Sequence, residues 1–272
     1  MDSEFRRALA FEQALRERCA ERIVPFRFGT GLFNDTLHRV WDLNLLRADR
    51  PHGATAEELA GEAERLHVEA GQTHRRVAVP DETEGERLAD GFRALGWETE
   101  CFLFMARREA GPRSADLALV GEVDRETVRP LRERIARAEP WADSEETVRQ
   151  VLDAGRVVER ASHVRHFAVR VEGKHVSAAD LYSDGRTAQV EDVVTDPAYR
   201  GRGYASAVVL CAVREAERSG DDFVFLIADD ADWPKELYAR LGFAPLGRVW
   251  MFLRKPAAAG ADSSASRRPD AP

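Results

Sequence analysis

Long hydrophobic runs and cysteine are both scarce in this chain of 272 residues. No apolar run approaches the ~18 residues of a membrane span, and the first residues have no basic-then-apolar leader pattern. We therefore expect a cytoplasmic protein with no membrane partner. Cys19, Cys101 and Cys211 are odd in number, widely spaced and form no Cys-x-x-Cys pair, which argues against a disulfide framework or a zinc knuckle.

Lysine is nearly absent, since it occurs only at positions 174, 235 and 255, and arginine supplies almost all of the positive charge. Acidic residues outnumber basic ones by 48 to 40, and the formal net charge of −8 argues against a nucleic-acid partner. An acidic protein attracts a cationic substrate such as an amine, although net charge constrains this weakly. The arginine- and alanine-rich composition is typical of a GC-rich bacterial genome.

The length fits two domains of about 110–150 residues each. Residues 1–110 are predicted to form the first domain, 111–114 a linker and 115–256 the second domain. Residues 257–272 have no apolar pattern, and we expect a disordered tail there. In the first half, the pattern predicts helix, strand, strand, helix, strand, helix and strand over 3–21, 22–28, 36–46, 55–70, 75–79, 83–95 and 98–107.

Two short sequence patterns in the first half predict particular local structures. The Gly-Thr-Gly cluster at 29–31 is interpreted as a turn, and Thr55 with Glu58 predicts a capping box at the start of a helix. For the second half, the pattern predicts strand, two helices, three strands, helix, strand, helix and strand over 116–121, 126–138, 145–154, 165–171, 175–182, 188–195, 203–219, 222–228, 234–241 and 247–254.

One segment of the second half combines a strand, a tight turn and the start of a helix. The strand 190–195 ends before Asp196-Pro197, and an apolar helix opens with Arg-Gly-Arg-Gly-Tyr-Ala at 200–205. Unpaired backbone N–H groups and the positive end of the helix dipole make such a start suited to a pyrophosphate. Glycine lets the backbone approach the phosphates, and Arg200 and Arg202 can add charge-assisted contacts.

This segment resembles the pyrophosphate signature of the GNAT superfamily of acyl-CoA-dependent N-acetyltransferases, Gln/Arg-x-x-Gly-x-Gly/Ala, which Arg200, Gly203 and Ala205 fit. A second family feature is the strand 223–228 followed by Leu-Tyr-Ala-Arg-Leu-Gly-Phe at 237–243. The resemblance implies an α+β fold with a mixed, mostly antiparallel sheet flanked by helices. It also implies acetyl-CoA contacts from Val193, Val194, Thr195, Arg200, Gly201, Arg202, Gly203, Tyr204 and Ala205.

The resemblance further implies direct attack of a substrate amine on the thioester of acetyl-CoA. Tyr238 matches the tyrosine that lies beside the CoA sulfur and is the candidate general acid. Glu191 is the candidate base, directly or through water, and the backbones of Val193 and Val194 are expected to pair with the pantetheine arm. Because neighbouring side chains alternate across a strand, Glu191 and Asp192 are expected on opposite faces.

The sequence departs from the family pattern at one place, and it also argues against a metal site. The family often has Asn about seven residues before the tyrosine, where this chain has Ala231, and the acidic neighbours Asp230 and Asp232 are expected to cap the following helix. No metal is expected, because the spacing of His163 and His166 puts them on opposite faces of a strand.

The first half resembles a degraded copy of the second, an arrangement similar to that of mycothiol synthases. An offset of 150 aligns 40–42 with 190–192 and 50–55 with 200–205, and an offset of 146 aligns 95–97 with 241–243. In this alignment Trp41 replaces Glu191, Phe92 replaces Tyr238, and Pro51 replaces a glycine and cannot donate to a phosphate. The fold expected is therefore two tandem GNAT-like domains, the first degenerate; coincidental αβ spacing is the alternative.

Three functions stay open at this point. The leading one is an N-acetyltransferase acting on a small-molecule or peptide amine, with one CoA bound per chain. The others are a non-catalytic acyl-CoA-binding regulatory module and a structural pseudo-enzyme. Acceptor loops vary freely in this superfamily, so the amine is not defined, and both a monomer and a homodimer are compatible with the sequence.

Overall fold

The computed structural model describes residues 2–109, 111–112 and 114–256, so the predicted tail at 257–272 lies outside the described residues. The first half contains α1 (Ser3–Cys19), β1 (Arg22–Phe26), β2 (Gly29–Phe33), β3 (Leu45–Arg47), α2 (Ala56–Glu69), β4 (Arg75–Val79), α3 (Glu82–Ala94) and β5 (Glu98–Arg107). The second half contains β6 (Val120–Val123), α4 (Arg125–Ala136), α5 (Glu145–Ala161), β7 (His163–Val171), β8 (Lys174–Ser183), β9 (Thr187–Thr195), α6 (Tyr204–Ser219), β10 (Phe223–Asp229), α7 (Pro234–Arg240) and β11 (Phe243–Arg254).

The strands form one mixed sheet in the order β1-β2-β3-β4-β11-β5-β10-β9-β8-β7-β6. The β3–β4 and β9–β10 pairs are parallel, and the other described pairs are antiparallel. The predicted mixed, mostly antiparallel sheet flanked by helices is therefore confirmed. The two halves exchange their last strands, because β11 lies between β4 and β5 while β5 lies between β11 and β10. This exchange joins the sheets of the two halves into one.

The strand order is symmetrical about the central β5–β11 pair. Going outward, β11, β4, β3, β2 and β1 on one side correspond to β5, β10, β9, β8 and β7 on the other. On each side the first pair outward is antiparallel, and the next is parallel. Helices α1, α2 and α3 occupy the same places in chain order as α5, α6 and α7. The first half is thus a shortened repeat that begins at the equivalent of α5.

Helices pack on both faces of the sheet, as the alternating side chains of β5 show. Phe104 packs with α1 in one buried cluster, whereas Met105 packs with α6 in another, so α1 and α6 lie on opposite faces of the sheet. Helix α5 joins the α1 layer, and α7 joins the α6 layer. A third cluster, formed by α2 and α3 with Phe252 of β11, stabilises the first half around a strand that belongs to the second.

The predicted and observed elements differ most between residues 29 and 47. Gly29–Phe33 is strand β2 and not a turn, and a side chain on Gly29 would collide with the carbonyl of Arg47 on the neighbouring strand. The predicted strand at 36–46 is wrong, because this segment makes turns held by the buried Asn44, whose amide donates to the carbonyls of Leu37 and Val40. Likewise, the strand predicted at 116–121 begins only at Val120.

Candidate active site

Helix α6 begins at a loop whose glycines adopt left-handed backbone conformations. Gly201 has φ +76° and Gly203, the N-cap residue, has φ +85°, which glycine adopts without the steric cost of a Cβ. No side chain caps this helix start. The first N–H groups of α6 therefore have no intrahelical acceptor and are available to a ligand at the positive end of the helix dipole.

A cleft of about 450 Å³ opens beside this loop. Strand β9 forms one wall, α6 begins at the second, and α7 contributes Leu237 and Tyr238 to the third. Arg202 is the predicted cofactor residue that does not line the cleft, since its guanidinium lies 5.3 Å from the centre of the Tyr199 ring. The other eight do line it, namely Val193, Val194, Thr195, Arg200, Gly201, Gly203, Tyr204 and Ala205.

Strands β9 and β10 diverge next to the cleft. Their parallel pairing runs from Thr187↔Phe223 to Val190↔Leu226 and stops there, although β9 continues to Thr195. The edge of β9 that faces β10 therefore has no strand partner after Val190. Glu191 is the first residue beyond the last pair.

Tyr238 reaches the cleft from α7 with 9% of its surface exposed. Burial raises the pKa of its hydroxyl to about 12, and the negative charge of Glu191 adds to this rise. The phenol is therefore protonated at neutral pH and can donate a proton. Tyr238 and Glu191 line different cavities.

A second cavity of about 260 Å³ lies on the α1 face of the sheet and reaches Glu191. Glu12 and Arg16 of α1 lie at its rim. Most of its lining comes from the first half and from β11, which is seated between first-half strands. Its floor is apolar and consists of Leu45, Ala78, Phe102, Phe104, Val249 and Met251.

Glu191 and Asp192 lie on the same face of the sheet, so the expected alternation is wrong here. Asp192 has φ +49°, and the pairing with β8 shifts by one residue before Asp180↔Glu191, which together mark a β-bulge. Asp192 forms an ion pair with Arg132 of α4 at 3.8 Å, while Glu191 lines the cavity beside Arg16. The bulge turns both carboxylates toward the α1 side.

The charge of Asp192 affects the pKa of Glu191. Burial raises the pKa of Glu191 to about 8, and the charge of Asp192 contributes to the rise. The amide nitrogen of Gln189 donates to Oε1 of Glu191 and opposes it. A carboxylate with such a pKa can exchange a proton near neutral pH, which is the property of a general base matched to its task.

A buried charged network behind the bulge was missed by the sequence analysis. Asp180 Oδ1 accepts from Arg132 Nη2 at 2.5 Å and lies 2.6 Å from His166 Nδ1. His166 Nε2 lies 3.0 Å from Glu159. Burial alone would lower the pKa of His166, but the hydrogen bond and negative charge of Asp180 together with the hydrogen bond to Glu159 outweigh it, and the pKa is raised. The available signal was the pair of polar residues inside two apolar strands, at 166 and 180.

The residues flanking α7 also differ from expectation. Asp230 does not cap the helix, because it forms ion pairs with Arg248 at 2.8 Å and Lys235 at 3.0 Å. Asp232 accepts from the N–H of Trp233, which is the N-cap residue itself. Asp232 and Trp233 both line the cleft of about 450 Å³, which leaves them available for contacts with a ligand. In the described residues, no group of three or more His, Cys, Asp and Glu side chains is arranged to hold a metal.

The equivalent loop of the first half is closed. Helix α2 begins after Thr55, whose hydroxyl accepts from the N–H of Glu58 at 3.2 Å, while the Glu58 carboxylate accepts from the N–H of Thr55 at 3.0 Å. Matching the two N-caps aligns Thr55 with Gly203 and Gly53 with Gly201, an offset of 148 in place of 150. The feature that replaces the open loop is therefore the capping box and not Pro51. Trp41 likewise lies in a 3-10 turn and not in a strand.

Comparison with known families connects this geometry to a function. Residues 128–243 match the model of the acetyltransferase (GNAT) family. These residues form a GNAT acetyltransferase domain. The match extends from α4 to the start of β11, so it includes the open loop, Tyr238 and Glu191. GNAT enzymes use acetyl-CoA as the acyl donor, and the family supports acyl-CoA-dependent acetyl transfer as the general activity.

Solved structures share the fold of the whole chain, including the half that precedes the GNAT domain. A GCN5-related N-acetyltransferase from Kribbella flavida is 19% identical, with a TM-score of 0.63, over 95% of this chain and 97% of that one. A functionally unknown protein from Staphylococcus epidermidis is 16% identical, with a TM-score of 0.66, over 88% and 95%. A tandem GNAT protein from the clavulanic acid biosynthesis pathway is 15% identical, with a TM-score of 0.50, over 75% and 70%.

A search of curated proteins found no match. None of the helices in the described part of the chain is both long and apolar enough to cross a membrane. The GNAT domain is thus assigned by its family model, and the tandem arrangement agrees with the structural relatives.

Proposed function

We propose that the chain transfers an acetyl group from acetyl-CoA to an amine, and that the reaction takes place in the second half. One observation carries this proposal. The 450 Å³ cleft beside the glycine loop and the 260 Å³ cavity next to Glu191 lie on either side of the gap between β9 and β10. A donor in the cleft and an acceptor in the cavity would meet in that gap.

The donor is held, in this proposal, by the eight residues named from the sequence that line the cleft. The pyrophosphate lies on the free N–H groups after Gly203, with Arg200 beside it. The pantetheine arm adds as a strand-like ligand to the unpaired edge of Val193 and Val194. This places the thioester at the gap, within reach of Tyr238 on the cleft side.

The chemistry is direct attack without an acyl-enzyme. The amine nitrogen bonds to the thioester carbonyl carbon, and its surplus proton passes to Glu191, directly or through water. As the carbon–sulfur bond breaks, Tyr238 donates its proton to the leaving thiolate. The raised pKa values of Glu191 and Tyr238 suit these roles, because the first can accept a proton near pH 8 and the second stays protonated.

Thiol release from acetyl-CoA over a panel of amines tests the proposal. We expect amine-dependent release that Tyr238→Phe strongly reduces while CoA binding, measured by titration, is retained. CoA binding without thiol release for any amine would instead favour a non-catalytic acyl-CoA-binding module. Absence of CoA binding to the unmodified protein would favour a structural pseudo-enzyme.

A further inference from the structure

The cavity of about 260 Å³ beside Glu191 has carboxylates at one end and arginines at the other. At the second-half end are Glu191 on β9 and Asp229 on β10. Glu191 accepts from the Gln189 amide, and Asp229 accepts from the N–H of Ala231. Within the described residues, neither carboxylate has an arginine or lysine partner. This end is therefore suited to an amine.

The opposite end carries two buried arginines of the first half, Arg47 on β3 and Arg76 on β4, whose side chains are 10% and 8% exposed. Arg47 donates through Nε to Asp49 and through Nη2 to Glu17. Arg76 Nη2 pairs with Asp42 at 2.9 Å and with Glu100 at 3.4 Å. Among the described residues, Nη1 of Arg47 and Nε of Arg76 are buried without a hydrogen-bond partner. Both arginines line the cavity, so a ligand carboxylate could bind the guanidinium N–H groups that their carboxylate partners do not use.

The charges lining the cavity restrict the ligand further. When Glu191 is protonated, as its pKa of about 8 implies at neutral pH, the lining charges cancel. Three arginines then face three carboxylates, namely Arg16, Arg47, Arg76, Glu12, Asp42 and Asp229. Asp229 then carries the negative charge at one end, and Arg47 and Arg76 carry positive charge at the other, which complements a zwitterion better than a molecule with net charge.

We propose that the acetyl acceptor is an extended aminocarboxylate, with its amine at Glu191 and its carboxylate at Arg47 and Arg76. This inference rests on the proposed acetyl transfer. Strands β4 and β9 are four strand spacings apart, which is about 19 Å between their backbones, and the long side chains shorten the span. The aliphatic part of the acceptor lies on the apolar floor, which includes Phe102 and Met251. The first half thus selects the acceptor.

The test compares three acceptors of matched length with the full-length protein. Straight-chain ω-aminocarboxylates of increasing length are assayed by thiol release beside the corresponding alkylamines and the corresponding primary amides. We expect one chain length of aminocarboxylate to have a kcat/KM roughly 10- to 100-fold above that of its alkylamine, as for a hydrogen bond to a charged group. The amide separates a need for negative charge from a need for an oxygen acceptor; an amide equal to the carboxylate overturns the proposal.

Variants at the arginine end locate the effect. Arg76→Gln and Arg47→Gln are expected to raise KM for the aminocarboxylate roughly 10- to 100-fold, and that for the alkylamine less than about threefold. Arg75→Gln is the matched control, because Arg75 is equally buried on β4 but pairs with Glu64 of α2 and does not line the cavity. Arg76→Lys, which keeps the charge but lacks Nε, is measured in case the glutamine variant fails to fold.

Two results overturn the inference while the proposed function stands: equal use of all three acceptors, or parallel changes for the aminocarboxylate and the alkylamine in the Arg76 and Arg47 variants. Calorimetric titration of the aminocarboxylate into the protein–CoA complex gives a readout without turnover. If no amine releases thiol, the proposed function fails. Binding that weakens in Arg76→Gln but not in Arg75→Gln still supports the carboxylate site, and absence of any binding overturns it.

Discussion

The first turns of α2 and α6 are equivalent in position, but only that of α6 leaves its backbone N–H groups free for a ligand. In the first half, Thr55 and Glu58 satisfy each other's backbone N–H groups, so the helix start needs no ligand. In the second half, Gly203 offers no side chain, and the N–H groups stay free beside a cleft. A single capping residue therefore separates a self-sufficient helix from one that can hold a pyrophosphate, within the same strand order.

The largest effect is expected at the residues that differ between α3 and α7. Tyr238→Phe removes the proposed proton donor and should lower kcat by about 10²–10⁴-fold with CoA affinity nearly unchanged. The equivalent residue of the first half, Phe92, stacks on Phe252 at 4.0 Å in a closed core. Phe92→Tyr should therefore add no activity and only lower the thermal stability. Steady-state kinetics and a melting curve measure both, and a Tyr238→Phe variant with full kcat would remove Tyr238 from the mechanism.

Binding of CoA provides the second test. Gly203→Asp puts a carboxylate and a Cβ at φ +85° where phosphates are proposed to lie, and we expect the Kd for CoA to rise about 100-fold. Thr55→Asp introduces the same residue at the matched position of α2, where Asp is a good cap, and should leave the Kd unchanged. Calorimetry also gives the stoichiometry, expected to be one CoA per chain. Two CoA per chain would show that the capped helix start binds as well.

The pH profile tests the coupling between Glu191 and Asp192. Glu191 must be deprotonated to act as a base, so kcat/KM should fall as the pH drops through about 8. The charge of Asp192 helps to raise that pKa, and Asp192→Asn should therefore move the acidic limb of the profile to lower pH by about one unit. The ionisation of the amine substrate is common to both proteins and cancels in the comparison. An unmoved limb would assign it to another group.

The smallest expected effect is on folding. Thr55→Ala removes the capping box of α2 and should lower the free energy of unfolding by about 1 kcal/mol. Urea denaturation measures this change. The same protein should bind CoA with unchanged affinity, because the proposed cofactor contacts all lie in the second half. A weakened affinity for CoA would mean that the two helix starts are coupled through the shared sheet.

Local patterns were sufficient to predict most elements, the strongly periodic ones best. The capping box at Thr55 and the strand Glu98–Arg107 were predicted correctly because their signals are contained within a few residues. The segment between residues 29 and 47 was mispredicted because Gly29 serves a close approach between strands, and Asn44 holds the following turns by bonds across the segment. Neither cause is visible as a local period.

In the candidate site, too, local motifs could be predicted from the sequence, and contacts between distant residues could not. The open loop and Tyr238 belong to short motifs and could be named from the sequence. The orientation of Asp192 depends on a bulge in the pairing with β8, and the arginines at the far end of the second cavity come from a distant part of the chain. Arg76 and Glu191 line one cavity only because the sheet brings their strands into one layer, and such pairs leave no spacing signal in the sequence.

The exchange of β5 and β11 has a consequence for inheritance and for protein engineering. A fragment that starts at the linker would lose β5, and would leave both β10 and β11 with an open edge in the middle of what was a continuous sheet. Such a fragment should aggregate and not act as a minimal enzyme. If a duplication interlocked its copies in this way, one copy could lose its chemistry but could not be deleted, and the proposed choice of acceptor by the first half would be a use for such a copy.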